Sequence, residues 1–284
     1  MRVRKNVKMS EGLLDGYRDF LLDEERSAAT VEKYLRDVRT FLGYMGEAAL
    51  DRKRVLDYKQ GLRERYKITS ANSMLAAMNS FFVYLGREDL KVKLFKVQRA
   101  LYARPEREMT EKDYRKLIQA ARNDGDEMMS MLIQTIGSTG VRISELKFIT
   151  VESLASGRAE IYNKGKSRTV LLPVELSRIL RKYCRKAGIV AGSIFITKHG
   201  NPVDRSNVSK KMKALGRAAG VDTAKVFPHN LRHLFARIFY SIEKDVVRLM
   251  DLLGHSNIST TRIYTMSTEE QPRRQMSRMK LVLG

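Results

Sequence analysis

The feature that most constrains the fold of this chain is an interruption. Between Lys91 and Glu108 the apolar period lapses. Lys91-Val92-Lys93-Leu94-Phe95-Lys96 and Arg104-Pro105-Glu106-Arg107-Glu108 are charge-rich, hold a proline and carry no long amphipathic face. Such a stretch cannot continue a core, so it reads as a linker between two separately packed domains. With 284 residues the chain is long enough for both. The expected division is 1–95 for the first domain, 96–108 for the linker and 109–284 for the second.

The first domain reads as a four-helix bundle. Val31, Tyr34, Leu35, Val38, Phe41, Leu42 and Met45 recur at helical spacing behind Ser27 or Thr30 as a start signal. A second strong period runs from near Ser70 through Met74, Leu75, Met78, Phe82 and Leu85 to Gly86. Weaker helices are expected over Gly12–Asp23 and Arg52–Arg63. The second domain reads as mixed, mostly α with a small β-sheet. Thr110 with Asp113 forms a capping-box pattern ahead of Leu117, Ile118 and Ala121. Arg158–Asn163 and Ser167–Leu172 flank Lys164-Gly165-Lys166, which reads as a hairpin with a basic turn. Ile194-Phe195-Ile196 reads as a short strand, and helices fill the rest as far as Tyr264.

Charge narrows the partner. Lys and Arg number 54 against 32 Asp and Glu, a formal net charge of +22. The excess is uneven: residues 1–50 sum to zero, 51–108 to +7 and 109–284 to +15. A strongly anionic partner follows, and nucleic acid is the commonest. No apolar run reaches the ~18–20 residues of a membrane span and no signal-peptide pattern opens the chain, so no membrane partner is expected. The lone Cys184 cannot form an internal disulfide and fits a reducing compartment; it reads as a half-buried helix residue.

Within the second domain a few residues point to chemistry on phosphate. Arg142 and Glu145 stand at i and i+3, so the carboxylate can brace a guanidinium that grips two phosphate oxygens. His229, Arg232 and His233 share one helical face. Asn230 stands where a zinc-binding His-Glu-x-x-His helix has its glutamate, and Arg232 would repel a cation, so no metal site is expected. His255 follows a Leu-Leu-Gly helix end, and Tyr264 lies nine residues further on. At pH 7 only about one phenol in a thousand is ionised. Guanidinium and imidazolium charges nearby favour the phenolate, and a histidine can take the proton. Such a set can hold a phosphodiester between fixed cations while a tyrosine attacks it. Lys164, on the hairpin tip, or its neighbour Lys166 can donate a proton to a departing oxygen or hold a backbone phosphate.

In order and spacing these residues resemble the tyrosine recombinase (phage integrase) family. The words Thr-Gly-x-Arg-x-x-Glu-Leu, His-x-Leu-Arg-His and Leu-Gly-His match, and Arg142, Lys164, His229, Arg232, His255 and Tyr264 fall at the family's catalytic positions. Glu145 and His233 fall at supporting ones. Thr30, Tyr34, Asp37 and Phe41 have the spacing of the family's core-binding domain, and about eight residues precede the bundle, too few for the arm-binding domain of some phage integrases.

The resemblance implies a site-specific recombinase that closes two domains around double-stranded DNA carrying specific recombination sites. Its tyrosine forms a 3′-phosphotyrosine and strand exchange passes through a Holliday junction, with no cofactor, ATP or metal. It implies a homo-tetramer on two DNA sites, with a place for accessory DNA-bending or directionality factors, and a cytoplasmic, nucleoid-associated protein that integrates or excises a mobile element, with chromosome-dimer resolution as the alternative task. The tail after Tyr264, with Met276, Met279, Leu281 and Val282 behind Arg273, Arg274 and Arg278, fits docking on a neighbouring copy or on its own domain. Lys33, Arg36, Arg39, Asn72, Lys166, Lys210 and Lys211 are candidates to face DNA. Two alternatives share the features: a type IB topoisomerase, and a non-catalytic DNA-binding protein on the same scaffold.

Overall fold

The computed structural model describes residues 12–46, 48–97, 108–163, 166–197, 199–255, 257–264 and Ser277. The chain divides into two compact units, Met1–Arg99 and Ala100–Gly284.

In the first unit, helices α1 (Gly12–Asp23), α2 (Ala28–Met45), α3 (Arg52–Arg65) and α4 (Ile68–Tyr84) form the bundle. α2 buries Val31, Leu35, Val38, Phe41 and Met45, the stripe its period demands. Its upper half packs with Leu14, Tyr17 and Leu21 of α1. Its lower half packs with Val55, Tyr58 and Leu62 of α3, where Phe41 meets Tyr58 and Phe82 edge-on. α4 contributes to both clusters, so α2 and α4 are the spine.

The basic stretch after α4 begins as part of this unit. Asn79 donates to the Val92 carbonyl (2.8 Å) and accepts from its N–H (2.9 Å). Asn72 does the same for Phe95, at 2.9 and 2.8 Å. Seven residues of helix rise about 10 Å, as do three residues of extended chain, so two asparagines two turns apart meet alternate ends of one strip. Val92 is buried as a result. Of the expected linker, residues 98–107 lie outside the described residues.

The second unit is built on α6 (Glu127–Thr139), which packs against α5 (Glu111–Asn123), α8 (Val174–Ala187) and α10 (Pro228–Glu243). The Thr110–Asp113 capping box closes at α5, with Thr110 accepting from the Asp113 N–H (3.1 Å) and Asp113 from the Thr110 N–H (3.0 Å). A 3-10 turn (Ile143–Phe148) and α7 (Val151–Ser156) lead into the antiparallel pair β1 (Arg158–Asn163) and β2 (Lys166–Leu171), with Asn163 opposite Lys166. The strand expected at Ile194–Ile196 is reduced to single bridges, Thr150 with Ser193 and Ile196 with Pro202, because the segments bonded beside it, at 149–151 and 201–203, are too short for a ladder. α9 (Arg205–Ala218), α11 (Val246–Leu253), α12 (Ile258–Thr261) and a last 3-10 turn (Arg262–Tyr264) complete the described chain. The fold is thus mostly helical with a two-stranded sheet.

Candidate active site

α6 ends on Gly140, whose backbone is left-handed at φ +65°. A Cβ there would come within 2.5 Å of Phe235 on α10, so only glycine fits. The turn delivers Arg142 to the start of the 3-10 turn. There Glu145 accepts the Arg142 backbone N–H at Oε2 and its guanidinium at Oε1, both at 2.8 Å. Arg168 reaches the same carboxylate at Oε2, 2.7 Å away. Glu145 is therefore a buried anion between two arginines. Burial pushes its pKa up, but the Arg142 backbone N–H and the two guanidiniums outweigh that and hold it below the usual carboxylate range.

Pro228 opens α10, along which Arg232 is buried, His233 is half-buried and His229, at the first turn, is exposed. Arg232 is only 1% exposed. It donates to the Gly140 carbonyl and, at 2.6 Å, to the Leu253 carbonyl, and its Nη2 lies 3.0 Å from His255 Nε2.

The end of α11 gathers these groups. Leu252 O accepts from Arg168 at 2.6 Å, Leu253 O from Arg232, and Gly254 O from Arg142 at 3.4 Å. Three consecutive carbonyls, orphaned by the helix terminus and carrying its partial negative charge, are each held by a different arginine. Gly254 is left-handed (φ +62°), and a Cβ on it would collide with the Arg168 side chain. Beyond it His255 points back, with Nδ1 2.9 Å from Thr261 Oγ1. Tyr264 is buried against Ala236, Leu249 and Leu253. Its ring meets His233 edge-on at 4.9 Å and lies parallel to His255 at 6.2 Å, and His233 in turn meets His229 at 4.5 Å.

Electrostatics correct one expectation. Burial, and then neighbouring positive charge, lowers the pKa of all three histidines, to about 4 for His233 and His255. The imidazoles are neutral at pH 7, because burial and adjacent cations both disfavour another charge. Burial raises the Tyr264 pKa against the pull of Arg232 and Arg142, so the phenol keeps its proton. Burial, with Arg142 and Arg168, brings Arg232 down to about 10, which leaves it charged at neutral pH. The histidines of the free site are proton acceptors rather than cations.

The structure thus brings together Arg142, Glu145, His229, Arg232, His233, His255 and Tyr264. Lys164 lies outside the described residues, and Lys166 enters β2 opposite Asn163. Among the DNA-facing candidates, Arg36 and Arg39 are exposed on α2, while Lys33 is paired with Asp37 at 2.5 Å. The Asn72 amide is engaged on both sides by Phe95, which leaves it one N–H and one lone pair. Lys210 and Lys211 line a separate cavity of about 1110 Å³, where Lys211 pairs with Asp126 at 2.7 Å. The tail residues from Arg273 to Val282 named above lie outside the described residues.

Sequence reasoning missed Arg168 and Thr261. Arg168 stands opposite buried Ile161, two residues from buried Val170, so β-alternation already placed it on the inner face. An arginine at a core-facing strand position was the available signal. Among the described residues no group of three or more His, Cys, Asp or Glu is placed to hold a metal ion, and no helix is long and apolar enough to cross a membrane.

Comparison with known proteins gives a consistent result. The model of the phage integrase family matches residues 107–271, and that of the phage integrase N-terminal SAM-like domain matches 14–89. The chain is 27% identical to tyrosine recombinase XerA of Pyrococcus horikoshii, over 99% of this chain and 98% of the relative. It is 29% identical to the TnP I resolvase of Bacillus thuringiensis, over 92% and 97%. The crystal structure of a lambda integrase tetramer bound to a Holliday junction has a similar fold, with TM-score 0.73 at 17% identity over 94% of this chain and 81% of that one.

Proposed function

The chain belongs to the phage integrase family of DNA strand-transferring enzymes, and we propose that Tyr264 is the nucleophile of a site-specific tyrosine recombinase that cuts and rejoins duplex DNA. The observation that carries the assignment is the placement of one buried phenol against two neutral imidazoles, beside Arg142, which Glu145 braces, and Arg232, which the Gly140 and Leu253 carbonyls hold.

In this reading Arg142 and Arg232 bind the non-bridging oxygens of the scissile phosphate. Arg142, with a side chain 37% exposed, is the open side of the cluster. Tyr264 attacks phosphorus, its proton passes to a neutral acceptor in the site, and the 5′ oxygen departs with a proton from Lys164. The product is a 3′-phosphotyrosine and a free 5′-hydroxyl. Negative charge grows on the phosphorane, where preorganised donors are strongest; losing one such donor costs on the order of a hundredfold in rate. Glu145 and His233 support the arrangement without touching phosphorus. The ester energy is kept in the phosphotyrosine, and a second strand's 5′-hydroxyl reverses the step.

By likeness to the relatives, four copies act on two specific DNA sites through a Holliday junction, aided by accessory DNA-bending or directionality factors. The task is integration or excision of a mobile element by a cytoplasmic, nucleoid-associated protein. The domain carrying α1–α4 holds one side of the DNA through Lys33, Arg36 and Arg39, with the linker spanning 96–108.

A nicked DNA substrate traps the covalent adduct. Tyr264→Phe is expected to abolish it while leaving DNA affinity within about threefold. An adduct that persists in this variant refutes the assignment. Relaxation of a supercoiled plasmid without recombination between two sites would instead identify a type IB topoisomerase activity.

A further inference from the structure

We infer that Thr261 is a positioning residue that selects the tautomer of His255, so that Nε2 is the nitrogen left without a proton in the reaction centre. A guanidinium can only donate hydrogen bonds. Arg232 Nη2 lies 3.0 Å from His255 Nε2, so Nε2 accepts. The ring is neutral at pH 7, as shown above, so its one proton is on Nδ1. Thr261 Oγ1, 2.9 Å away, receives it. Thr261 is fully buried, so packing holds its hydroxyl at Nδ1. Without the hydroxyl, the Nδ1–H donor loses its protein partner, and the other tautomer sets an Nε2–H against Arg232. Both carry a penalty, and the threonine removes it.

Placement ties this choice to the nucleophile. Thr261 closes α12, and the 3-10 turn that follows at once ends on Tyr264. The turn that fixes the imidazole also carries the phenol. A lone pair on Nε2 repels an anionic phosphoryl oxygen, so His255 engages phosphate only after taking up a proton. Thr261 thereby makes substrate engagement proton-linked, an effect resting on the assignment of Tyr264 and its cleft to phosphodiester transfer.

The test uses the full chain, labelled with ¹⁵N-histidine. There are four histidines, and a His255→Gln sample identifies the relevant signal. In the free wild-type protein His255 is expected as a single Nδ1–H tautomer. Thr261→Val should give a mixture with the Nε2–H form, slow single-turnover adduct formation at least tenfold and flatten its pH profile, with DNA affinity unchanged within twofold. Thr261→Ser should keep the wild-type tautomer and a rate within threefold. An Nε2–H tautomer in the wild type overturns the inference, whether or not the valine variant folds. So does a valine variant with wild-type tautomer and rate. Absence of any adduct in the wild type would instead overturn the assignment of Tyr264, since the tautomer measurement needs no reaction.

Discussion

Replacing Arg168 by methionine tests the bracket behind the site. The side chain is 13% exposed and donates to Glu145 at 2.7 Å and to Leu252 O at 2.6 Å. Removing one partner of a buried ion pair costs about 3–5 kcal/mol. Glu145 keeps Arg142 and a backbone N–H, which brings that loss to the lower part of the range, while the orphaned Leu252 carbonyl adds about 1 kcal/mol. A total of about 4 kcal/mol lowers the melting temperature of a unit of this size by roughly 8–16 °C. Scanning calorimetry of the full chain reads this directly. Arg168→Lys keeps the charge but not the fork that serves two acceptors, so it should fall between wild type and methionine. Combining Arg168→Met with Glu145→Gln should destabilise less than the two single losses added together, since the carboxylate that needs the arginine is gone. A methionine variant melting within about 2 °C of wild type, or an additive double variant, would refute the reasoning.

Acid should loosen the second unit before the carboxylates titrate. His233 and His255 have folded pKa values near 4 against an ordinary 6.5, so their contribution is complete above pH 6.5 and is lost as pH falls toward 4. Each group accounts for up to about 1.4 kcal/mol per pH unit in that window; urea melts at pH 7 and pH 5 should differ, and equal midpoints would contradict the buried neutral imidazoles. Gly140→Ala places a methyl 2.5 Å from Phe235 on a left-handed backbone and should cost at least about 2 kcal/mol by chemical denaturation, with loss of the covalent adduct. A change under about 0.5 kcal/mol would show that the turn does not need glycine. Asn79→Ala removes both bonds to Val92 and should speed hydrogen exchange at the Val92 amide by tenfold or more, leaving α2 protected; unchanged exchange would mean another group pins the strip.

Legibility followed the range of the physical signal. The buried stripe of α2 and the Thr110–Asp113 box are local in sequence, so periodicity and a three-residue spacing specify them fully. The polar site was legible as a set of residue types in order. What joined them was not. Asn72 and Asn79 visibly share a helix face, but that Val92 and Phe95 lie opposite depends on tertiary packing. Ile194-Phe195-Ile196 has strand composition, but the segments beside it pair for too few residues to make a strand. Arg168 was readable from alternation only once the inward face of the hairpin was known. The charge on the histidines was misjudged because protonation depends on burial and on cations brought from other elements, neither of which a linear pattern encodes.

The arrangement at the end of α11 explains how such a site persists before substrate arrives. Arg142, Arg168 and Arg232 converge with one carboxylate among them, so two charges lack an ionic partner. A helix terminus supplies about half an elementary charge, spread here over three carbonyls. The cluster is therefore held in place by main chain yet keeps an excess of positive charge, which adds to burial in depressing the imidazoles. A second carboxylate would neutralise that excess and stabilise the free protein, but it would also occupy the donors that a phosphorane needs. Carbonyl ligands avoid the conflict: they fix each guanidinium through part of its fork and leave other N–H groups, such as those of the partly exposed Arg142, for an incoming anion. Glu145 sits behind the cluster and fully buried for the same reason, bracing two arginines from the side away from solvent, where it does not compete for the face that receives phosphate.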